Sequence, residues 1–231
     1  MEEITLLEVY LFINPLGSRC MKSEKSILRL ADQIFGDISY QFIPLLNPHM
    51  IDQHLKVTNQ DCHNLNLRNE QFNLHYRIIL DYKAALFQGK KKGRLFLLTL
   101  QNQLVEQGQP YSEKLVLEVA KHVHLDLSMF TEDRNSELAR RAFQADQRLA
   151  SEMKVADPST AVLYNANVSD CGLKLPDVTY QGLYEICENN GLLAKQALEH
   201  QKPTPNLHVL WNRIRNQKSD LHFLQVAFSM F

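Results

Sequence analysis

One short run in this 231-residue chain has the residue types and spacing for chemistry: Asn14-Pro15-Leu16-Gly17-Ser18-Arg19-Cys20, where an apolar segment meets a helix-like one. Two cysteines three apart at a helix N-terminus make a disulfide-exchange site. The helix dipole and free amides favour the leading thiolate, and the half-buried second cysteine resolves the mixed disulfide. Here the leading position is Gly17, and only the resolving position, Cys20, keeps sulfur. A lone inner cysteine is poorly activated and cannot complete a dithiol cycle. The bland reading, a small buried apolar residue on the first helix, is the one expected for Cys20.

The other cysteines, Cys62, Cys171 and Cys187, show no CxxC spacing. Asp61-Cys62-His63 is the nearest thing to a metal-ligand cluster, and it has no second half, so it reads as loop. No metal and no cofactor are expected. Lys90-Lys91-Lys92 with Arg94 form a basic knot between helices. It reads as a solvated junction, with an acidic partner as the other possibility. Arg140, Arg141 and Arg148 fall on the polar side of a long helix.

The elements that must position Gly17 and Cys20 follow from periodicity. Leu6–Asn14 is a near-continuous apolar run, the pattern of a strand buried on both faces. Ser18–Phe35 has helical period, with Cys20, Ile27, Leu30, Ala31 and Ile34 on one side and Ser18 as N-cap. Ile38–Leu45 is a second strand, parallel to the first across a right-handed crossover. A polar stretch, 47–69, reads as loop with at most a short helix. Helices then run through Phe72–Leu86, Leu95–Val105, Ser112–Val123, Leu125–Phe130 and Asn135–Met153. The last has its apolar stripe at Leu138, Ala142, Ala145, Leu149 and Met153. Thr160–Asn165 and Gly172–Leu175 read as a β-hairpin, Thr179–Leu198 as a closing helix, and Leu207–Arg215 with Phe223–Phe231 as an apolar tail.

This order is that of an α/β thioredoxin-like fold. The core would be 6–46 with 154–200, the helical insertion 47–153, and the C-terminal tail 201–231. Such folds set a cis-proline against the cysteine pair, to present backbone to an extended peptide. The candidate region is Asp157-Pro158-Ser159, with Ser159 able to take the proline's place if the register slips by one. Leu16, Met21 and Pro158 are the candidate partner-binding residues.

Composition narrows the class. Formal net charge is -1, so no global field selects nucleic acid or an anionic membrane. No run of 18 apolar residues exists to cross a bilayer. The acidic start, Met1-Glu2-Glu3, and a first apolar stretch interrupted by Glu8 do not suit a secretory signal, so a cytoplasmic location is expected.

Several stretches, in this order, resemble the SpxH (YjbH) family of DsbA-like adaptors. They are Phe12-Ile13-Asn14-Pro15-Leu16 with Cys20; Gln88-Gly89-Lys90-Lys91-Lys92-Gly93; Leu125-Asp126-Leu127; Phe143-Gln144-Ala145-Asp146 with Ala150-Ser151-Glu152-Met153; and Gly172-Leu173-Lys174-Leu175-Pro176 before Tyr180 and Tyr184. The match runs from about Glu8 to Leu193. The resemblance implies a non-catalytic adaptor that binds the transcription regulator Spx and promotes its degradation by the ClpXP protease. Better-known members keep the CxxC that is Gly17 and Cys20 here. Some begin with a metal-binding Cys/His segment, which this chain, starting almost at its first strand, is expected to lack. The rival readings are enzymes: a DsbA-like thiol oxidoreductase using Cys20, or a kappa-class glutathione-transferase-like enzyme in which Ser18 activates a glutathione thiol.

Overall fold

The structure, a computed structural model, describes residues 6–33, 37–165 and 169–189. Its four strands, β1 (Leu6–Ile13), β2 (Asp37–Pro44), β3 (Thr160–Asn165) and β4 (Ser169–Leu175), form one sheet in the order β2-β1-β3-β4. β1 pairs parallel with β2, Val9 opposite Tyr40, and antiparallel with β3, Tyr10 opposite Val162. β3 and β4 form the expected hairpin, Leu163 opposite Leu173.

The apolar run of β1 is explained by burial on both faces. Leu7, Val9, Leu11 and Ile13 enter a core with Ile27 and Leu30 of α1 (Ser18–Gln33) and Leu183 and Cys187 of α8 (Tyr180–Asn189). The alternate residues Tyr10 and Phe12 pack on the opposite face with Val162 and with Leu149 and Ala150 of α7 (Glu137–Glu152). The result is helix on sheet on helix, and each fully buried Leu, Ile or Phe contributes about 1.5–3 kcal/mol.

Between β2 and β3 the chain forms α2 (Pro48–Val57), α3 (Leu65–Phe87), α4 (Lys90–Gln101), α5 (Glu113–His122), α6 (Leu127–Asp133) and α7. A π-helical turn, Asn102–Glu106, extends α4. Ile78, Phe96, Leu100, Val116 and Phe130 make a separate core within this block, while Tyr82 and Leu97 reach the core under the sheet.

Four details differ from the sequence reading. The polar stretch 47–69 is largely helical: Asn47 caps α2 by accepting the Met50 N–H, Pro48 opens it, and Met50, Ile51 and Leu55 are buried. α4 starts at Lys90, so the basic knot is its first turn. The buried stripe of α7 is Ala139, Phe143, Asp146 and Ala150, whereas Leu138 is 58% exposed. Asp146 can enter because Lys83 of α3 pairs with it. Finally, Gly17 rather than Ser18 supplies the first helix acceptor, its carbonyl taking the Met21 N–H at 3.1 Å. The expected helix end at Phe35, the closing helix beyond Asn189 and the tail 201–231 lie outside the described residues, as does the side chain of Cys171.

Candidate functional site

The turn from β1 into α1 builds the site. Asn14, buried at the strand's end, organises it with its own groups: its Oδ1 accepts the Leu16 N–H at 2.8 Å and its carbonyl accepts the Gly17 N–H at 3.0 Å. Its backbone N–H points the other way and donates to Cys20 Sγ at 3.2 Å. Asn14 was not singled out from sequence, although an Asn two residues before such a turn is an Asx-turn signal.

Gly17 and Cys20 lie side by side at the start of α1. A Cβ on Gly17 would stand 3.4 Å from Cys20 Sγ and 3.3 Å from Asn14 Cβ and carbonyl oxygen. Cys20 itself is 2% exposed, and burial pushes its thiol up to about 12, against the lowering pull of amide hydrogen bonds from Asn14 and Ser159. At neutral pH it is a buried, neutral thiol, which is the reverse of an activated nucleophile.

The segment facing Cys20 is 157–159. No peptide bond among the described residues is cis, so Pro158 is trans. Ser159 stands opposite the cysteine, with φ +65, a left-handed backbone uncommon for a serine. Its N–H donates to the Phe12 carbonyl at 2.7 Å, and its carbonyl accepts the Val178 N–H at 3.2 Å. Its hydroxyl lies 2.6 Å from Ser23 Oγ, which in turn lies 3.0 Å from the Val178 carbonyl oxygen. Both backbone groups that would greet an extended peptide at Ser159 are therefore spent inside the fold, and Pro158 has no N–H to offer. Asp157, by contrast, is exposed and pairs with His49 at 3.3 Å.

The three candidate partner residues are placed differently. Leu16 is half-buried and packs against the helical-block core. Met21 is 3% exposed, so its side chain belongs to the interior, and Pro158 is buried. Ser18 is exposed at the helix start. Asp61 Oδ1 accepts the His63 N–H in an Asx turn, and no cluster of three metal-ligating side chains occurs among the described residues.

Sequence reasoning passed over Ser23 and Glu24, three and four residues beyond Cys20 on the buried side of α1. Glu24 is fully buried and accepts a hydrogen bond from Gln101 Nε2 of α4, while its Oε2 has no partner. Helical spacing from Cys20 was the available signal.

A family model described as Thioredoxin matches residues 10–187. The chain belongs to this thioredoxin family. Its curated relatives include two named ClpXP adapter protein SpxH. The one from Bacillus licheniformis is 28% identical over 88% of this chain and 72% of its own length. The one from Bacillus subtilis is 29% identical over 78% of this chain and 65% of its own length. Among solved structures, the thiol-disulfide exchange protein α-DsbA2 from Wolbachia pipientis superposes with a TM-score of 0.52 at 15% identity, over 82% of this chain and 83% of the other. The fold is thus DsbA-like. No helix among the described residues is long and apolar enough to cross a membrane.

Proposed function

We propose that this chain is a cytoplasmic, non-catalytic protease adaptor that binds an Spx-like transcription regulator and promotes its degradation by ClpXP. The carrying observation is the likeness, over most of the chain, to relatives named as ClpXP adapters. The site adds physical support. The position of the attacking cysteine is Gly17, and the remaining thiol, Cys20, is buried and protonated. The fold is kept while the nucleophile is gone, which leaves surface rather than covalent chemistry to act with. In this reading residues 47–153 supply much of that surface, and the strands with α1 and α8 supply the scaffold.

Reconstitution tests the proposal. Purified protein is mixed with Spx, ClpXP and ATP, and Spx loss is followed. Sub-stoichiometric protein should accelerate the loss, spare an unrelated ClpXP substrate, and do both equally well after Cys20→Ala. Equal decay with and without the protein, together with no complex on gel filtration, would sink the adaptor reading.

A further inference from the structure

The start of α4 carries cations where a helix disfavours them. Lys90, Lys91 and Lys92 occupy the first turn with no acidic residue among them, and Gly89, at φ +120, provides no side-chain cap. The positive end of a helix dipole disfavours each cation placed there. Lys92 offsets part of this by donating to the His124 carbonyl at 2.7 Å. Lys90 and Lys91 are exposed and make no ion pair among the described residues. The same contact brings the end of α5 alongside, where exposed Lys121 also lacks a carboxylate partner among the described residues.

This surface is held rigid and is partly apolar. The Gln88 side chain grips Asp126 at two points: Oε1 accepts the Asp126 N–H at 2.7 Å and Nε2 donates to its carbonyl at 2.9 Å. The α3–α4 and α5–α6 junctions are thereby locked together, with Phe96 and Phe130 packed at 5.2 Å beneath. Large apolar side chains stand exposed beside the lysines: Leu95, one turn on from Lys91 and 49% exposed, and Leu127 and Met129, just after Asp126, at 37% and 46%. A preorganised patch of unpaired cations and bare apolar side chains is complementary to a polypeptide that brings both acidic and apolar residues.

We infer that the face made by the first turn of α4 and the α5–α6 junction docks an acidic, amphipathic segment of a partner protein. The exposed leucines and methionine favour a polypeptide over a nucleic acid. The chain's own residues 190–231 are poorly suited, since their basic residues outnumber the acidic five to two. This inference rests on binding and stands apart from the adaptor reading.

The probe is a fluorescent 20-residue helical peptide of glutamates and leucines, titrated with the full chain by anisotropy. A peptide with glutamine for each glutamate, a duplex DNA and anionic vesicles run in parallel. The acidic peptide should bind, and weaken several-fold between 50 and 200 mM salt, as roughly expected for three ionic contacts. Lys90→Glu/Lys91→Glu/Lys121→Glu should cut affinity at least about tenfold, while its melting temperature holds or rises because two of the new anions suit the helix N-terminus. Leu127→Ser/Met129→Ser should weaken binding, and Leu138→Ser, exposed on α7, should not. Absence of binding, equal binding by the glutamine peptide, DNA or vesicles, or an unchanged affinity in the triple variant would overturn the inference. The same triple variant in the Spx reconstitution separates the two ideas: undiminished acceleration leaves the adaptor reading standing without this face.

Discussion

Gln101 of α4 donates its Nε2–H to Oε1 of Glu24 at 3.0 Å, tying the helix that carries Cys20 to the helical block through a carboxyl group shut away from water. Burial pushes that carboxyl up to about 8, against the smaller opposing effects of Gln101 and Lys25. Glu24 Oε2 and Gln101 Oε1 both lack partners when the group is ionised. The acid form buries no charge, so it suits this seam.

The consequence is a pH dependence of stability. An unfolded glutamate titrates near about 4.3, whereas folded Glu24 keeps its proton to about 8. Between those values the folded state binds more protons, so this group's contribution to stability falls as pH rises through that window and levels off above it. Glu24→Gln supplies a permanent donor in the same shape. It should stabilise the protein at pH 8 by about 1–3 kcal/mol and change little at pH 4.5, where the wild-type acid is already neutral. Urea unfolding at the two pH values measures both. A variant equally destabilised at both would show that ionisation is not what the seam disfavours.

Cys20 should be inert in the folded protein. Iodoacetamide at pH 8, read by peptide mass mapping, should modify half-buried Cys62 at least roughly tenfold faster than Cys20, and denaturant should abolish the difference. The protein should not reduce insulin. Insulin turnover removed by Cys20→Ser would restore the oxidoreductase reading.

Gly17→Cys should rebuild a redox pair. The new Cβ lies 3.4 Å from Cys20 Sγ, close enough for a sulfur carried on it to bond that sulfur after a small shift. Oxidised glutathione should convert the variant to an intramolecular disulfide, seen as the loss of two hydrogens by mass. Persistently free thiols would mean that Asn14, whose Cβ and carbonyl oxygen sit 3.3 Å from the new atom, pushes the side chain away.

The strand–helix frame around this site was legible because its determinants are local. The apolar run of β1 could be satisfied only by burial on two faces, and the Gly17/Cys20 spacing fixed where to look. Helix α2 was hidden by its composition: Asn, Gln and His dominate 47–69, and only Met50, Ile51 and Leu55 report the buried side, although Asn47-Pro48 was a start signal in plain view. The α7 stripe was read one residue out because Leu138 looks like core and Asp146 does not. Only the distant Lys83 makes Asp146 a core residue. Opposite Cys20, local sequence left Pro158 and Ser159 as alternatives one residue apart; Ser159 faces the sulfur, and its partners Phe12, Ser23 and Val178 are brought in by tertiary structure alone.

Two glycines that flank the basic turn have separate reasons to be there. A Cβ on Gly93 would sit 2.8 Å from the Leu86 Cα, so Gly93→Ala must push α3 and α4 apart and should cost about 1–3 kcal/mol. Gly89 has open space around it but a φ of +120, so Gly89→Ala should cost about 1–2 kcal/mol through the backbone alone. Chemical denaturation tells them apart when combined with Leu86→Ala, which should relieve part of the Gly93→Ala penalty and none of the Gly89→Ala penalty. Equal relief of both would show that crowding at Leu86 is not the cause.

The burial of Cys20 beneath the strand-to-helix turn has a further consequence under oxidative attack. Peroxide oxidises thiolates, and the first product, a sulfenic acid, needs both a charged sulfur and room for an added oxygen. Cys20 is protonated and buried between Asn14 and Ser159, which disfavours that step. A burst of peroxide that silences dithiol proteins of the same fold would leave this turn chemically untouched. The same turn would therefore keep one chemical form in reducing and in oxidising surroundings.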